Sequence, residues 1–194
     1  IAPQDVMEAA FVMRNACGYF PSGTVHLAVV DPGVGGERRA LALRKGAHWF
    51  VGPDNGLFSL LLEEEPPDEV VELDNPEAWR VPSVSNTFHG RDVFAPAAAH
   101  LANGKPLAAL GSPVDAVKPL YWALPIADAQ GVQGFVLHVD AYGNCITNIS
   151  HELFERQRQG RTAKCYIGSS ILESVHHHYA QASAGEPLML FGSS

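Results

Sequence analysis

The stretch VVDPGVGGERRALAL, residues 29 to 43, runs from an apolar segment through an aspartate and three glycines to two arginines. It has the glycines of a phosphate-binding loop, but Arg38 stands where a dinucleotide fingerprint has its third glycine. The loop also leads into ALAL, which has the pattern of a strand, so that no helix N-terminus follows to hold a phosphate. We therefore predict a tight glycine turn between two extended segments.

Two interpretations of this turn remain open from the residues themselves. In the first, Asp31 caps a structural turn by hydrogen bonding to the backbone, and the arginines are solvated. In the second, Asp31 belongs to a functional site, because α/β folds place their chemistry where buried strands end. The run before it, TVHLAVVD at 24–31, is rich in Val and predicts such a strand.

The segments on both sides of the turn alternate between helical and extended patterns. Apolar residues recur at helical spacing over 6–17, directly after Asp5. Further along, we predict a hairpin that turns at 45–46 and a helix over 92–101, with His89 in the loop before it. Shorter predicted elements are a helix at 57–65 and strands at 70–73 and 79–82.

The region between about 105 and 130 is rich in Pro, Gly and Ala without sustained periodicity, which predicts a linker. Beyond it, the sequence alternates apolar and polar residues around the turn DAYGN at 140–144, and further short strands follow. The part of the chain after the linker therefore reads as all-β.

Composition excludes several classes of protein. The 194 residues carry a formal charge of −8, which argues against a protein that binds along nucleic-acid backbones. We find neither an apolar run long enough for a membrane span nor a secretory leader, so we predict a protein without membrane contact. The three cysteines are widely spaced and form no CxxC pair, which favours a reducing cytoplasm and no disulfide framework.

The run His176 to His178 suggests a metal site, but consecutive side chains point to opposite faces of a strand or fan apart in a helix. Three such neighbours cannot close around one ion, and we predict no metal site there. The run is expected at the surface or at the rim of an interface.

His89 and the DAYGN turn each allow a structural and a functional interpretation. An isolated loop histidine is most often structural, but near a helix N-terminus His89 would be neutral and able to exchange a proton. Asp140 and Asn144 are common turn residues, and the turn alone favours the structural interpretation. Held on a hairpin, they could also bind an ammonium group and the edge of a heterocycle.

Four segments together are far more specific than any one of them. VVDPGVGGERR, PDNGL at 53–57, SNTFHGRDVFAPAAAHLA at 85–102 and DAYGNCITNI at 140–149 occur in this order. They resemble the S-adenosylmethionine (SAM) hydroxide adenosyltransferases, which are adenosine-forming SAM hydrolases related to the SAM-dependent fluorinase and chlorinase. The resemblance covers essentially the whole chain.

This resemblance implies a fold, an assembly and an activity. The fold would be an α/β N-terminal domain at 1–112 with a central, mostly parallel sheet, a linker at 113–128, and a small all-β, barrel-like C-terminal domain at 129–194. The assembly would be a homotrimer with active sites between subunits. The activity would be hydrolysis of SAM, the substrate, to adenosine and L-methionine, with neither a cofactor nor a metal.

The resemblance also implies a catalytic triad of Asp31, Arg38 and His89. The sulfonium leaves C5′ of the ribose as a neutral thioether, so that only the attacking water needs help. A guanidinium beside the water favours hydroxide, and a carboxylate or a neutral imidazole could take its proton. Arg38 would stabilise the nucleophile, while the choice of Asp31 or His89 as the proton acceptor stays open.

Five residues match the family's substrate-binding positions. Asp140 would bind the amino group of the methionine and Asn144 the edge of the adenine. Ser193 and Ser194 would hold the carboxylate, and Phe20 would pack on the ribose. Family members extend beyond both ends of this chain, so we expect segments at its N- and C-termini that the sequence lacks.

Two other functions remain as alternatives. A SAM-dependent halogenase of the same fold would use a halide in place of water, and would need no proton acceptor. A non-catalytic SAM- or adenosine-binding protein would make no use of the triad. The presence of Asp31, Arg38 and His89 together favours hydrolysis.

Overall fold

The chain folds into two units, Ile1–Leu124 and Pro125–Ser194, and the computed structural model describes residues 1–121 and 124–192. The first unit begins with helix α1, Val6–Cys17, as its apolar periodicity predicts. Asp5 caps the helix, because its carboxylate accepts a hydrogen bond from the backbone N–H of Glu8 at 2.9 Å. Buried residues of α1, among them Ala9 and Met13, pack against the sheet of this unit.

This sheet has five strands in the order β1-β3-β2-β4-β5. Their bounds are β1 Val25–Leu27, β2 Ala40–Lys45, β3 His48–Pro53, β4 Glu69–Glu72 and β5 Ser112–Pro113. Strands β2 and β3 form the predicted hairpin, with Lys45 paired to His48 across a turn that contains Gly46. Strand β1 is shorter than the predicted strand, and 79–82 forms bends in place of the predicted strand.

The prediction of a mostly parallel sheet is wrong for this sheet. Strand β1 pairs with β3 in parallel, whereas the β2·β3, β2·β4 and β4·β5 pairings are antiparallel. The reason is the short connection between β2 and β3, because a turn of this length can join only antiparallel neighbours. Strand β3 therefore lies between β1 and β2, and this order brings three loops to the same edge of the sheet.

The sheet is apolar on both faces. Residues alternate along β2, so that Leu41 and Leu43 pack on one face and Ala42 on the other. The first face packs against α1 and the second against helix α2, Ala95–Ala102. Full burial of a Leu or Phe side chain contributes about 1.5–3 kcal/mol, so these two interfaces hold the α/β layers together.

The segment after β3 differs from its prediction. Residues 57–65 form successive turns and no helix, and Leu57 and Phe58 are fully buried under the sheet. Helix α2 begins three residues later than the predicted helix at 92–101 and ends one residue later, and it is preceded by a π-helical turn, Gly90–Phe94, that begins directly after His89. Residues 113–118 of the predicted linker pack on the first unit, since Pro113 belongs to β5 and the N–H of Lys118 donates to Asp54.

The second unit contains strands that pair two by two in the described residues. The pairs are β6 Ile126–Ala127 with β7 Val132–Gln133, β8 Val136–Val139 with β9 Cys145–Thr147, β10 Cys165–Ile167 with β11 Ser170–Leu172, and β12 Val175–His176 with β13 Met189–Leu190. These two-stranded sheets close no barrel within the described ranges, so the barrel-like form is not confirmed.

The prediction of an all-β second part is wrong, because this unit also contains helix α3, His151–Arg158. Ser150 begins it by accepting a hydrogen bond from the N–H of Leu153 at 3.1 Å, a capping signal that the sequence analysis missed. The longest helix among the described residues is α1, with 12 residues. No helix in these ranges is long and apolar enough to cross a membrane.

Candidate active site

Asp31 and Arg38 are brought together by two successive turns at the end of β1. The ladder of β1 ends with the N–H of Ala28 donating to Val51 at 3.0 Å. The chain then turns at Asp31, whose carbonyl accepts from the N–H of Val34 at 3.3 Å, and again at Gly33, whose carbonyl accepts from Gly36 at 3.0 Å. Arg38 thus returns beside Asp31, although seven positions separate them in the sequence.

The two side chains form a bidentate ion pair. Arg38 Nε donates to Asp31 Oδ1 at 3.0 Å, and Nη2 donates to Oδ2 at 2.5 Å. The side chains are 8% and 5% exposed, so the pair is shielded from water. The guanidinium also lies over the ring of the buried Phe94, 5.2 Å from its centroid. Arg38 is therefore held in one orientation from two directions.

His89 completes the cluster, since its Nδ1 lies 2.7 Å from Arg38 Nη2. A guanidinium can only donate, so Nδ1 accepts this hydrogen bond and the ring is neutral with its hydrogen on Nε2. In agreement, the pKa of His89 is lowered from 6.5, mainly by burial and then by the charge of Arg38, while Asp31 and Asp92 act in the opposite direction. A neutral His89 was predicted, but from the helix N-terminus rather than from these causes.

The loop that carries His89 is fixed against the glycine turn. Gly35 has a φ of +76°, and a Cβ there would collide with the backbone carbonyl of Asn86. Glycine is therefore required for the turn to approach the 85–89 loop this closely. From the other side, Asp92 accepts a hydrogen bond from the N–H of Ser85 at 3.1 Å. These contacts set the position of His89 relative to Arg38.

Asp92 itself is 1% exposed and forms an ion pair with Arg91, whose Nε donates to it at 2.7 Å. The hydrogen bond from Arg91 lowers the pKa of Asp92 to about 2. Neither Asp92 nor Phe94 was among the predicted site residues. Both lie within five positions of His89, on the helical turn it precedes, and that proximity was the signal available in the sequence.

Phe20 lies before the strand that leads to Asp31. Its ring is 51% exposed and contacts His26 of β1 edge-on, with the centroids 5.3 Å apart. His26 in turn stacks on Phe50 and lies 3.1 Å from His48 through Nε2 and Nδ1. The structure thus leaves a face of Phe20 open to solvent, as a residue that packs on a ligand requires.

In the second unit, Asp140 and Asn144 bind each other across the DAYGN turn. Asp140 Oδ1 accepts from the N–H groups of Tyr142 and Asn144, each at 2.9 Å, and Oδ2 accepts from Asn144 Nδ2 at 2.7 Å. The side-chain hydrogen bond of Asn144 contributes most to lowering the pKa of Asp140. These bonds are those of the structural interpretation, and they also keep the carboxylate charged.

The remaining predicted residues give less information. Ser193 and Ser194 lie outside the described residues. His176 Nε2 lies 3.1 Å from Ser174 Oγ, and the backbone N–H groups of His177 and His178 both donate to Oε1 of Gln181. Within 1–121 and 124–192 no three His, Cys, Asp or Glu side chains are grouped closely enough to hold a metal ion.

Comparison with known proteins shows which families and structures the chain is similar to. Family models described as the SAM hydroxide adenosyltransferase N-terminal and C-terminal domains match residues 1–111 and 134–194. An (R)-S-adenosyl-L-methionine hydrolase of Thermus thermophilus is 46% identical over 155 residues, 77% of this chain and 60% of the relative. One from Methanocaldococcus jannaschii is 34% identical over 78% of this chain and 52% of the relative.

More distant relatives and a solved structure agree with this result. A fluorinase of Nocardia brasiliensis is 29% identical over 85% of this chain and 64% of its own length. The crystal structure of an uncharacterized conserved protein from Thermotoga maritima, 35% identical, aligns with a TM-score of 0.83 over 100% of this chain and 75% of that one. The chain spans about 60% of the length of the hydrolase from Thermus thermophilus. It belongs to the SAM hydroxide adenosyltransferase family.

Proposed function

We propose that the protein hydrolyses (R)-S-adenosyl-L-methionine to adenosine and L-methionine. The observation that carries this proposal is the hydrogen-bonded cluster of Asp31, Arg38 and His89 in a member of this family. Four relatives that are 34–47% identical to this chain are named as hydrolases of that substrate. The fluorinases among its relatives, at 27–29% identity, are more distant.

The reaction forms one bond and breaks one bond at C5′ of the ribose. The oxygen of a water molecule bonds to C5′, and the C5′–S bond breaks with its electron pair going to the sulfur. Methionine leaves as a neutral thioether, so the leaving group needs neither a proton nor a metal ion. The proton lost by the water is the one transfer that the protein must support.

Arg38 supports that transfer through its charge. Its guanidinium remains protonated and lies in a shielded site, where a positive charge favours hydroxide over water. Because Asp31 and Phe94 hold it in one orientation, little reorganisation is needed as negative charge develops on the attacking oxygen. Alignment of this oxygen behind C5′ would supply the rest of the rate through proximity.

The hydrogen bond between Arg38 and His89 supports Asp31 over His89 as the proton acceptor. With Nδ1 accepting from Arg38, the neutral ring of His89 carries its hydrogen on Nε2 and can only donate from there. The carboxylate of Asp31 keeps further lone pairs beyond those used by Arg38. We therefore assign proton acceptance to Asp31, and to His89 a hydrogen bond that orients the attacking oxygen.

Substrate binding would use both units. Asp140, held ionised by its turn, suits the ammonium group of the methionine, and Asn144 suits the adenine edge. Phe20 presents an exposed ring for the ribose. Ser193 and Ser194 would hold the carboxylate.

We further propose a homotrimer, with substrate between the N-terminal domain of one subunit, 1–112, and the C-terminal domain, 129–194, of its neighbour. Exposed apolar side chains shortly before Asp31 and His89 in the chain support an interface there, since Val29 is 41% and Phe88 58% exposed. Light scattering would measure the mass of the assembly. A cytoplasmic location is supported by three cysteines that are all free.

One incubation tests the reaction. The purified full-length protein is incubated with (R)-SAM in ¹⁸O-labelled water, with and without chloride, and products are identified by mass spectrometry. Adenosine carrying ¹⁸O at the 5′ hydroxyl, formed at the same rate in chloride, is the expected result. A 5′-chlorinated adenosine would indicate a halogenase, and bound but unchanged SAM would indicate a binding protein.

A further inference from the structure

The loop Pro53-Asp54-Asn55-Gly56 leaves the sheet between the two segments that form the candidate triad. Strand β3 lies between β1 and β2, and its exit is on the same edge as the exit of β1 and the entry of β2. Side chains of the loop after β3 can therefore reach both segments. Its residues Asp54 and Asn55 each bond to one of them.

Asn55 fixes the segment that carries Asp31. Beyond Ala28 this segment has left the ladder of β1, and Asn55 Nδ2 donates to the carbonyl of Val30 at 2.9 Å. Val30 is the residue directly before Asp31. The other side-chain atom of Asn55, Oδ1, accepts from the N–H of Leu57 at 3.2 Å and so shapes the loop itself.

Asp54 fixes the segment that carries Arg38. Its Oδ2 accepts from Arg39 Nε at 2.8 Å and Nη2 at 2.6 Å, and its backbone N–H donates to the Arg39 carbonyl at 3.0 Å. Arg39 directly follows Arg38. Asp54 is 4% exposed, and in this setting a carboxylate bonded twice to a guanidinium is strongly directional.

The loop at 53–56 is itself fixed by hydrogen bonds from the segment 118–120, so that it can position other residues. The N–H of Lys118 donates to Asp54 Oδ1 at 2.7 Å, and that of Leu120 donates to Ser59 Oγ at 2.7 Å. Gly56 has a φ of +98°, and a Cβ there would collide with the side chain of Leu120. Two neighbouring residues on a clamped loop thus bond to the neighbours of both members of the ion pair.

We propose that the loop at 53–56 is the positioning element of the triad, with Asn55 setting Asp31 through Val30 and Asp54 setting Arg38 through Arg39. The expected change in kcat rests on the proposed function, whereas the expected change in the position of the triad does not. Misplacement of reacting groups by about 1 Å can cost about 100-fold in rate. Loss of either contact should therefore lower kcat while the affinity for SAM is kept.

Asn55→Asp tests the inference with little change to the loop. An aspartate keeps the oxygen that accepts from Leu57 but cannot donate to Val30. The chain offers a matched control in Asn75, which donates through Nδ2 to the carbonyl of Ala109 at 3.0 Å and accepts from the N–H of Glu77 at 3.1 Å. Asn75 follows β4, which is separated from β1 by two strands, so that Asn75→Asp cuts an equivalent bond away from the triad.

We expect Asn55→Asp to lower kcat for SAM at least about tenfold with KM within about twofold, and Asn75→Asp to leave both within about twofold at a similar loss of melting temperature. The second readout is the NMR resonance of the His89 ring, followed through a pH titration without substrate. It should shift in Asn55→Asp and stay unchanged in Asn75→Asp. Equal kcat in the two variants, or an unmoved His89 resonance, would overturn the inference.

A third variant covers the case in which Asn55→Asp does not fold. Arg39→Lys keeps a charge beside Asp54 but cannot reproduce the two hydrogen bonds, and the same two readouts should move in the same direction. If the unaltered protein does not turn over SAM, the proposed function fails. The His89 resonance still decides whether the loop positions the triad, and an unmoved resonance in that case overturns this inference.

Discussion

Asp31 and Asp140 are both hydrogen-bonded carboxylates with a proposed role towards SAM, but their partners differ. Asp31 is 5% exposed and faces the guanidinium of Arg38, which also contacts His89. Asp140 lies in a turn whose tip, Tyr142, is 92% exposed, and its partners are an amide and backbone N–H groups. Charges interact more strongly where water is excluded, so the first arrangement can act on a reaction and the second mainly on a ligand.

In the proposed roles, one residue type serves two purposes in the same protein. Around Asp31, removal of one partner leaves a buried charge without compensation, and structure and chemistry fail together. Around Asp140, the hydrogen bonds maintain a turn whose polar groups could also bond to water. We therefore expect changes near the triad to alter kcat and stability, and changes in the turn to alter KM.

The largest effect is expected for Arg38→Ala. The substitution leaves the carboxylate of Asp31 buried without its cationic partner, which should reduce the free energy of unfolding by about 3–5 kcal/mol. Loss of the charge beside the attacking oxygen should lower kcat at least about 100-fold. Turnover of SAM and urea unfolding measure the two effects.

Arg38→Lys is the control for this substitution, because it keeps the charge but not the bidentate geometry. Its kcat should lie between those of the wild type and Arg38→Ala. Calorimetry with SAM must show that binding is retained in both. If Arg38→Ala keeps kcat within about tenfold of the wild type while it binds SAM, electrostatic stabilisation by Arg38 is not the basis of catalysis.

Gly35→Ala should have the next largest effect. The substitution strains a backbone at φ +76° by about 1–2 kcal/mol and also drives a Cβ into the carbonyl of Asn86. Separation of the glycine turn from the 85–89 loop should therefore lower kcat by about tenfold. Melting temperature and SAM turnover are the measurements.

Gly46→Ala provides a matched comparison, since Gly46 has a φ of +57° but open space where the Cβ would lie. It should show the backbone strain alone, with kcat unchanged. Similar kinetics for the two variants would mean that the approach of the turn to Asn86 does not matter for the triad.

Local elements of the fold could be predicted from the sequence, and the arrangement of the sheet could not. Helix α1 and the β2–β3 hairpin follow from apolar spacing and from turn residues within a few positions. The direction in which β1 meets β3 depends on residues more than twenty positions apart, and no local pattern reports it. The segment 57–65 is a short apolar run, which fits a buried turn as well as a helix. Such a run shows that the residues are buried but has no periodicity that identifies the secondary structure.

The site shows the same limit. Asp31, Arg38 and His89 were predicted through linked motifs, and the structure brings the three together. Phe94 and Asn55 were missed as site residues, although the segments that contain them were quoted. They act by stacking on Arg38 or by bonding to the backbone beside Asp31, and such contacts appear only after the strands are ordered in the sheet.

Asp140→Asn tests the other half of the comparison. The substitution keeps an oxygen for the N–H groups of Tyr142 and Asn144, so the turn should persist, but it removes the charge and the oxygen that accepts from Asn144 Nδ2. If Asp140 binds the ammonium group of SAM, KM should rise about tenfold, because a hydrogen bond to a charged group is worth about 1.5–3 kcal/mol, and kcat should change little. Initial rates over a range of SAM concentrations give both constants.

Asp128 offers a control in the same unit, since its Oδ1 accepts from the N–H groups of Gln130 at 2.7 Å and Gly131 at 3.1 Å in a similar turn. Asp128→Asn should leave KM unchanged. An equal rise in KM for both variants would show that net charge, rather than Asp140 itself, governs the affinity.

The smallest effect is expected in the pH dependence of stability, where the two regions should act in separate ranges. The pKa of His89 is lowered from 6.5, mainly by burial, so in the range below 6.5 the unfolded chain binds more protons at this residue than the native one. Stability from His89 is therefore complete above pH 6.5 and is lost as the pH falls through the native pKa.

Asp140 has a pKa lowered from 3.8, mainly by the hydrogen bond of Asn144, and its contribution is lost only below that value. Urea unfolding of the wild type and of His89→Gln at pH 7.5, 6 and 5 isolates the first range. His26, whose pKa is also lowered, is present in both proteins and cancels in the difference. The advantage of the wild type should shrink as the pH falls from 6.5 towards 5. A constant or growing advantage would mean that His89 is not held neutral by Arg38 and burial, and that the assignment of its hydrogen to Nε2 is wrong.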